Sequence, residues 1–304
     1  MQRQNIAILG GTGFVGRAII ARLAGQGHLI RVLTRHRERH RSLLVYPTLT
    51  MAQGDPLDSG FLGTELAGKD AVINLVGILN ERGHDGKGFR RAHVELPRAV
   101  VDSCRERGVA RLLHMSALNA DPQGPSHYLR SKGEAEDLVH SAGGGRLAVT
   151  SFRPSVIFGP DDSFLNRFAT LLRRVPLVFP LACPGARFQP VYVEDVALAF
   201  TAALSDHTRF GQRYDLCGPR TYTLIELVRY VARCCGLRRL VVPLPRWASR
   251  AQAIVMEWAP GKPFSRDNFD SMREDSVCRG AGAPFGIRPT PLEDVAPRYL
   301  SRDG

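Results

Sequence analysis

The chain has 304 residues, 44% of them hydrophobic, enough to bury a sizeable core as one large domain or as two unequal lobes. Lys and Arg number 41 against 29 Asp and Glu, a net charge of +12, which favours anionic partners; with no zinc-finger, helix-turn-helix or RNA-binding signature, a nucleic-acid partner is not expected. No apolar run is long enough to span a bilayer, since the greasiest stretch, 168–182, is broken by Arg173, Arg174, Pro176 and Pro180, and a first strand starting almost at Met1 leaves no room for a signal peptide.

Residues 6–20 read as a short apolar strand, a glycine-rich turn and the opening of a helix. Gly10, Gly13 and Gly16 are spaced G-x-x-G-x-x-G, with Gly11, Thr12, Phe14 and Val15 between them. Such a turn lets a pyrophosphate approach bare backbone, and the helix start then offers free N–H groups to it. Val15, Ala18, Ile19 and Leu23 give the helix an apolar face, the context a dinucleotide site demands.

Residues 28–34 form the second strand, ending at Thr34. NAD-type folds place an Asp or Glu at this end for the adenosine ribose. Here stand Arg35 and Arg37, with further arginines at 39 and 41. A guanidinium binds a 2′-phosphate that a carboxylate would repel, so NADP(H) is expected over NAD(H); the other reading is a solvated basic loop. The third strand, 49–53, leads to Asp55, which suits either the adenine edge or a turn that caps the next helix. The fourth, 71–77, carries Asn74 and Gly77 where a coenzyme would pass. Residues 78–89, polar and glycine-rich, read as a mobile loop over the site.

A helix over 91–107 precedes the fifth strand, 110–116, which ends at Ser116. Ser126 caps a helix containing Tyr128 and Lys132, closed by 143–145. The sixth strand, 147–152, runs into Arg153 and Pro154. Beyond it come a helix over 164–173, a return to the sheet at 189–196 with a helix over 197–204, and a short strand at 213–217. A helix over 221–236 follows, with Thr223 and Glu226 as a capping box. The last stretch, 243–304, rich in proline and arginine, belongs to a small lobe. In it Trp247, Ala248, Ala251, Ile254, Val255 and Trp258 make an amphipathic pattern that reads as core or pocket roof, membrane contact being at most peripheral.

Together these elements predict a Rossmann doubly wound parallel sheet over 1–158, rejoined by 188–218. The segments 159–187 and 219–304 are expected to build a smaller mixed α/β lobe. The six cysteines, Cys104, Cys183, Cys217, Cys234, Cys235 and Cys278, have no C-x-x-C spacing; they argue against a metal site and a disulfide framework and fit a reducing cytoplasm.

Tyr128 and Lys132, at i and i+4, share a helix face. An ammonium beside a phenol is expected to lower the phenol's pKa, making it an acid–base group near neutrality. Lys132 would also hold the nicotinamide ribose, and Ser116 would hydrogen-bond a substrate carbonyl.

With these residues the chain resembles the extended or atypical short-chain dehydrogenases/reductases, Ser116, Tyr128 and Lys132 matching that family's catalytic serine, tyrosine and lysine. Within it the chain is similar to the dehydrogenase-like accessory subunits of respiratory complex I. The resemblance rests on the motifs at 93–97 (HVELP), 109–120 (VARLLHMSALNA), 126–134 (SHYLRSKGE), 153–166 (RPSVIFGPDDSFLN), 189–196 (QPVYVEDV) and 264–268 (FSRDN). Many extended members carry Asn where this chain has His93. The resemblance implies a bound NADPH contacted also by Pro154 and Val156. It leaves three activity classes open: a reductase or dehydrogenase acting on a carbonyl or quinone-related substrate, a non-catalytic nucleotide-holding partner of complex I or of ubiquinone biosynthesis, and a sugar-nucleotide epimerase or dehydratase. Arg153, Arg167 and Arg187 would serve the third by binding a diphosphate, unless each is ion-paired.

Overall fold

Apolar runs alternating with amphipathic stretches produce a wound sheet in a computed structural model of the chain, which describes residues 3–143, 145–204, 206–259, 261–280 and 284–301. In chain order come β1 (Asn5–Leu9), α1 (Phe14–Gly25), β2 (Leu29–Thr34), β3 (Leu49–Gln53), α2 (Ser59–Leu66) and β4 (Ala71–Asn74). Next are α3 (Lys87–Arg90), α4 (Leu96–Glu106), β5 (Arg111–Met115), α5 (His127–Ala142), β6 (Ala148–Pro154) and β7 (Ile157–Phe158). The chain continues through α6 (Leu165–Arg174), β8 (Val178–Leu181), β9 (Arg187–Phe188), β10 (Val191–Tyr192), α7 (Val193–Ala203) and β11 (Arg213–Leu216). It finishes with β12 (Tyr222–Thr223), α8 (Leu224–Cys234), β13 (Leu240–Pro243), α9 (Arg246–Glu257), α10 (Arg266–Ser271) and α11 (Leu292–Leu300).

Seven strands form one sheet in the order β11-β6-β5-β4-β1-β2-β3, every pairing parallel. Alternate side chains leave opposite faces of each strand. Ile6, Ile8, Ile73, Leu113 and Met115 therefore pack with α1 and α7, through Ile19, Ile20, Val196 and Phe200. Ala7, Leu9, Val72, Leu112 and Val149 pack with α2, α4 and α5, through Leu62, Val100 and Val139. Burial on both faces is why these strands read as continuous apolar runs rather than alternating ones. The strand order reverses between β1 and β4, which opens a crevice at their carboxyl ends.

A second cluster joins α6, α8, α11 and the β8–β13 pair, through Leu165, Leu172, Phe179, Leu227, Val231, Val241, Ala296 and Leu300. The Thr223–Glu226 capping box and the Ser126 cap are both present. The expected helix over 91–107 begins earlier, at Lys87, and passes through a π turn at Arg91–Glu95 that carries His93. The helix expected over 197–204 likewise starts earlier, at Val193, which is buried in the core.

Two expectations are corrected. Cys217 and Cys278 form a disulfide across 61 residues of sequence, where no bridge was expected. Spacing could not reveal it, because folding rather than a local motif brings the two together. The outward face of α9 is the other: Trp247 and Trp258 are 76% and 81% exposed and Val255 is 70% exposed, so they are neither core nor pocket roof. The helix turns its opposite face, Ser249, Ala253 and Glu257, inward. Among the described residues no helix is long and apolar enough to cross a membrane.

Candidate functional site

The glycine turn is built from backbone in close contact. Gly10 has φ +76°, and a Cβ there would lie 3.0 Å from the Leu75 carbonyl carbon. At Gly16 a Cβ would sit 2.5 Å from Gly11 Cα and 2.6 Å from Gly10 O, so only glycine lets α1 approach the turn. Gly13 stands at the helix N-cap without a side-chain cap, and its N–H donates to Gly10 O at 3.0 Å. Thr12 O accepts from Arg17 Nε, Val15 packs on the core, and the Phe14 ring lies 3.0 Å from where a Gly159 Cβ would be. A concave turn of bare backbone at a helix N-terminus, beside the strand crevice, fits a pyrophosphate.

At the end of β2, buried Thr34 accepts from His36 N through Oγ1. Arg35 and Arg37 are exposed and enter no ion pair with described residues; Arg37 N is held by Gln53 Oε1. Asp55 accepts from Leu57 N in a tight turn and lies 3.9 Å from Arg91.

At the end of β4, Asn74 is buried, its Oδ1 accepting from Val76 N and its amide meeting His114 Nδ1 at 3.4 Å. Gly77 has the Lys132 ammonium on one side: a Cβ there would lie 3.2 Å from Nζ and 3.5 Å from His93 Nε2. Lys132 is buried, donates to Met115 O at 3.0 Å, and burial pulls its pKa down to about 8 against the pull of Glu136. Tyr128, one turn earlier, stacks edge-on against His93 and Phe89, with centroids 5.5 and 6.0 Å away, and its hydroxyl bonds no described residue. Tyr128, Lys132, His93 and Gly77 thus form one cluster beside the glycine turn. Pro154 ends β6, its carbonyl accepting from Leu118 N, and Val156 O accepts from Val191 N.

The electrostatics differ from the sequence expectation. The Lys132 ammonium is engaged by Met115 O and does not depress the phenol; burial, then the Asp267 carboxylate, pushes the Tyr128 pKa up to about 12. The phenol is therefore held protonated. Ser116 also departs from expectation. Its hydroxyl is enclosed, forms no hydrogen bond of normal geometry, and lies against Glu136, whose pKa it helps to lower.

The sequence singled out His93 only as a departure from the family pattern, and gave no role to Ser131 or Glu136. His93 Nε2 accepts from Ile78 N at 3.0 Å, its Nδ1 donates to Ser131 Oγ at 2.8 Å, and Ser131 in turn donates to Tyr128 O. This chain of bonds fixes one neutral tautomer, and burial, with Lys132 and His114 adding to it, drives the His93 pKa down to about 2. Glu136, 1% exposed, is paired with both Arg153 and Arg213. Its signal was position, one turn past Lys132, but a carboxylate on a helix gives no hint of burial.

The segment 262–278 crosses the carboxyl ends of the strands as a strap. Lys262 Nζ donates to the carbonyls of Glu81, Arg82 and Gly83, and Asn268 reaches Leu79 O. Buried Glu81 accepts from Gly86 N and Gly88 N, so the loop expected to be mobile is pinned from two sides. Asp267 accepts from His127 N at 2.6 Å and Tyr128 N at 3.3 Å, capping the start of α5 from 140 residues away. Asp275 O accepts from Asn119, Ser276 bonds Ser155, and Cys278 closes the disulfide. The candidate diphosphate ligands are engaged elsewhere: Arg153 with Glu136, Arg187 with Asp275, and Arg167 with Pro263 O.

Residues 6–217 match the family described as NAD dependent epimerase/dehydratase. The chain is 31% identical to the mouse mitochondrial NADH dehydrogenase (ubiquinone) 1 alpha subcomplex subunit 9, over 97% of this chain and 79% of that one. It is 31% identical to the ceramide reductase of Caulobacter vibrioides, over 84% and 78% respectively. Among solved structures, that of gox2253 superposes with a TM-score of 0.76 at 22% identity, covering 98% of this chain and 97% of that one, a likeness of fold.

Proposed function

This chain belongs to the NAD dependent epimerase/dehydratase family, and on that premise we propose that it is an NADP(H)-binding reductase or dehydrogenase acting on a carbonyl or quinone-related substrate. Gly10, Gly11, Thr12, Gly13, Phe14, Val15 and Gly16 hold the pyrophosphate. Thr34, Arg35 and Arg37 take the 2′-phosphate, which the two unpaired guanidiniums favour over a bare ribose. Asp55 lies towards the adenine; Asn74, Gly77, Pro154 and Val156 line the path of the nicotinamide half. The dinucleotide, when bound, supplies or accepts the hydride.

The observation that carries the reading is the Tyr128 phenol, its hydroxyl bonded to no described residue, one turn from Lys132 and packed edge-on against His93. A phenol kept neutral is a proton donor to a developing alkoxide, the task that carbonyl reduction sets. Lys132 orients the ribose. Ser116, once turned from Glu136, steadies the carbonyl oxygen.

A second reading is a nucleotide-holding partner of respiratory complex I or of a quinone-synthesis assembly, at the inner face of a respiratory membrane in the cytoplasm. Similarity to a complex I subunit along 97% of the chain favours it. The sugar-nucleotide reading is set aside because Arg153, Arg167 and Arg187 already have partners.

Tyr128→Phe separates these readings. With NADPH and quinone or carbonyl test substrates, the variant should keep NADPH affinity within about threefold, because one neutral hydrogen bond is a small share of dinucleotide binding, and lose turnover. Retained turnover refutes the acid role. A wild type that binds NADPH without reducing any of them supports the partner reading.

A further inference from the structure

We propose that the outward face of α9 seats this protein on an anionic membrane surface. The helix is inverted relative to an ordinary surface helix, which buries its apolar stripe. Here small or polar residues, Ser249, Ala253 and Glu257, face the protein, while Trp247, Ala251, Ile254, Val255 and Trp258 face outward. Both tryptophans of the chain lie on this face. The patch extends onto the β8–β13 pair, where Leu177 and Val178 are 73% and 48% exposed and Leu240 is 65% exposed, and Gln252 of α9 bonds Pro180 O to join the two surfaces.

Charge identifies the occupant. The stretches 163–193 and 227–256, which contain α6, β8, β13 and most of α8 and α9, hold ten arginines and not one Asp, Glu or Lys; the two helices add one acid each, Glu226 at the start of α8 and Glu257 at the end of α9. Arg246 and Arg250 stand on one margin of α9, and exposed Arg174 and Arg238 stand beside Leu177 and Leu240. Glu257, at the helix end, is turned inward to Arg266 and His84. An apolar face carrying tryptophan and flanked by arginines matches a bilayer interface of anionic headgroups over acyl chains. No span is required, since the helix lies flat, and the inference does not depend on the coenzyme reading.

Because Trp247 and Trp258 are the only tryptophans, intrinsic emission of the full chain reports on this face alone. Vesicles of phosphatidylcholine and phosphatidylglycerol in equal parts should shift the emission to the blue, shield it from acrylamide and carry the chain upward in a flotation gradient. Phosphatidylcholine alone should bind at least about tenfold more weakly, and high salt should release the protein. Val255→Glu, at an exposed position that keeps both tryptophans, should lower partitioning about tenfold or more without changing the melting temperature. The proposal is overturned if the chain stays in the aqueous fraction with both vesicles, or if Val255→Glu binds as wild type does. It is equally overturned if the emission is already blue-shifted without vesicles and the chain runs as a dimer, which would mean a second copy covers the face.

Discussion

The glycine turn and the N-terminus of α5 face the same crevice, yet they are held in opposite ways. The turn is fixed mostly by neighbours within a few residues, Gly16 against Gly11 and Gly13 against Gly10, with the Leu75 backbone packed on Gly10. The helix that carries Tyr128 and Lys132 is fixed from afar, with Asp267 capping His127 and Tyr128, Ser271 bonding Ser126, and the Cys217–Cys278 bridge closing the strap. A site of this kind has a cradle made by local sequence and a reacting half made by tertiary contacts, and the two should fail separately.

The largest expected effect tests the strap. Cys217→Ser opens a loop closed over 61 residues, which the chain-entropy account values at about 4 kcal/mol. Thermal unfolding should show that loss, while NADPH affinity measured below the transition should hardly move. An equal fall in affinity would show that the strap supports the cradle too. Gly16→Val does the reverse. Its side chain meets backbone at 2.5 Å, so overpacking of about 3 kcal/mol falls on the turn itself. Coenzyme binding should disappear while the disulfide stays formed by thiol titration. The double variant should be additive within about 0.5 kcal/mol in stability if the regions are independent.

Arg35→Ala sharpens the cradle side. Loss of a charged hydrogen bond to the 2′-phosphate should cost about 2 kcal/mol in NADPH affinity and far less for NADH. Equal losses for both would refute the contact.

An effect of comparable size that needs no substitution distinguishes the buried core around Tyr128 and Lys132. His93 and His114, both 1% exposed, have pKa values pulled from 6.5 to about 2 and about 3 by burial first and Lys132 second. Below pH 6.5 the unfolded chain takes up protons that the native chain refuses. Stability from these groups is therefore full above 6.5 and falls as pH drops towards 3, by up to about 1.4 kcal/mol per pH unit for each histidine. Urea unfolding at pH 7 and pH 5, with His93→Gln as control, checks this. A wild type equally stable at both pH values, or a control with the same slope, contradicts it.

The same division explains what the sequence made legible. The glycine spacing, the succession of strands along the chain and the Thr223 and Ser126 caps depend on residues a few positions apart, and these could be read directly. The raised phenol, the enclosed Ser116 hydroxyl, the Glu136–Arg153 pair and the disulfide depend on burial and on chain segments brought together by folding. An i, i+4 pattern states that Tyr128 and Lys132 share a face; it does not state that Met115 O engages the ammonium. For α9 the periodicity was correct and its direction was not, because amphipathic spacing alone does not say which face meets solvent.

Native mass spectrometry of the purified full chain, before and after addition of NADPH, tests the central claim most directly. The account predicts one NADP(H) per chain, present as isolated or taken up on addition and not displaced by NADH. A chain that stays bare with NADPH in excess, or that takes NADH in preference, would contradict it.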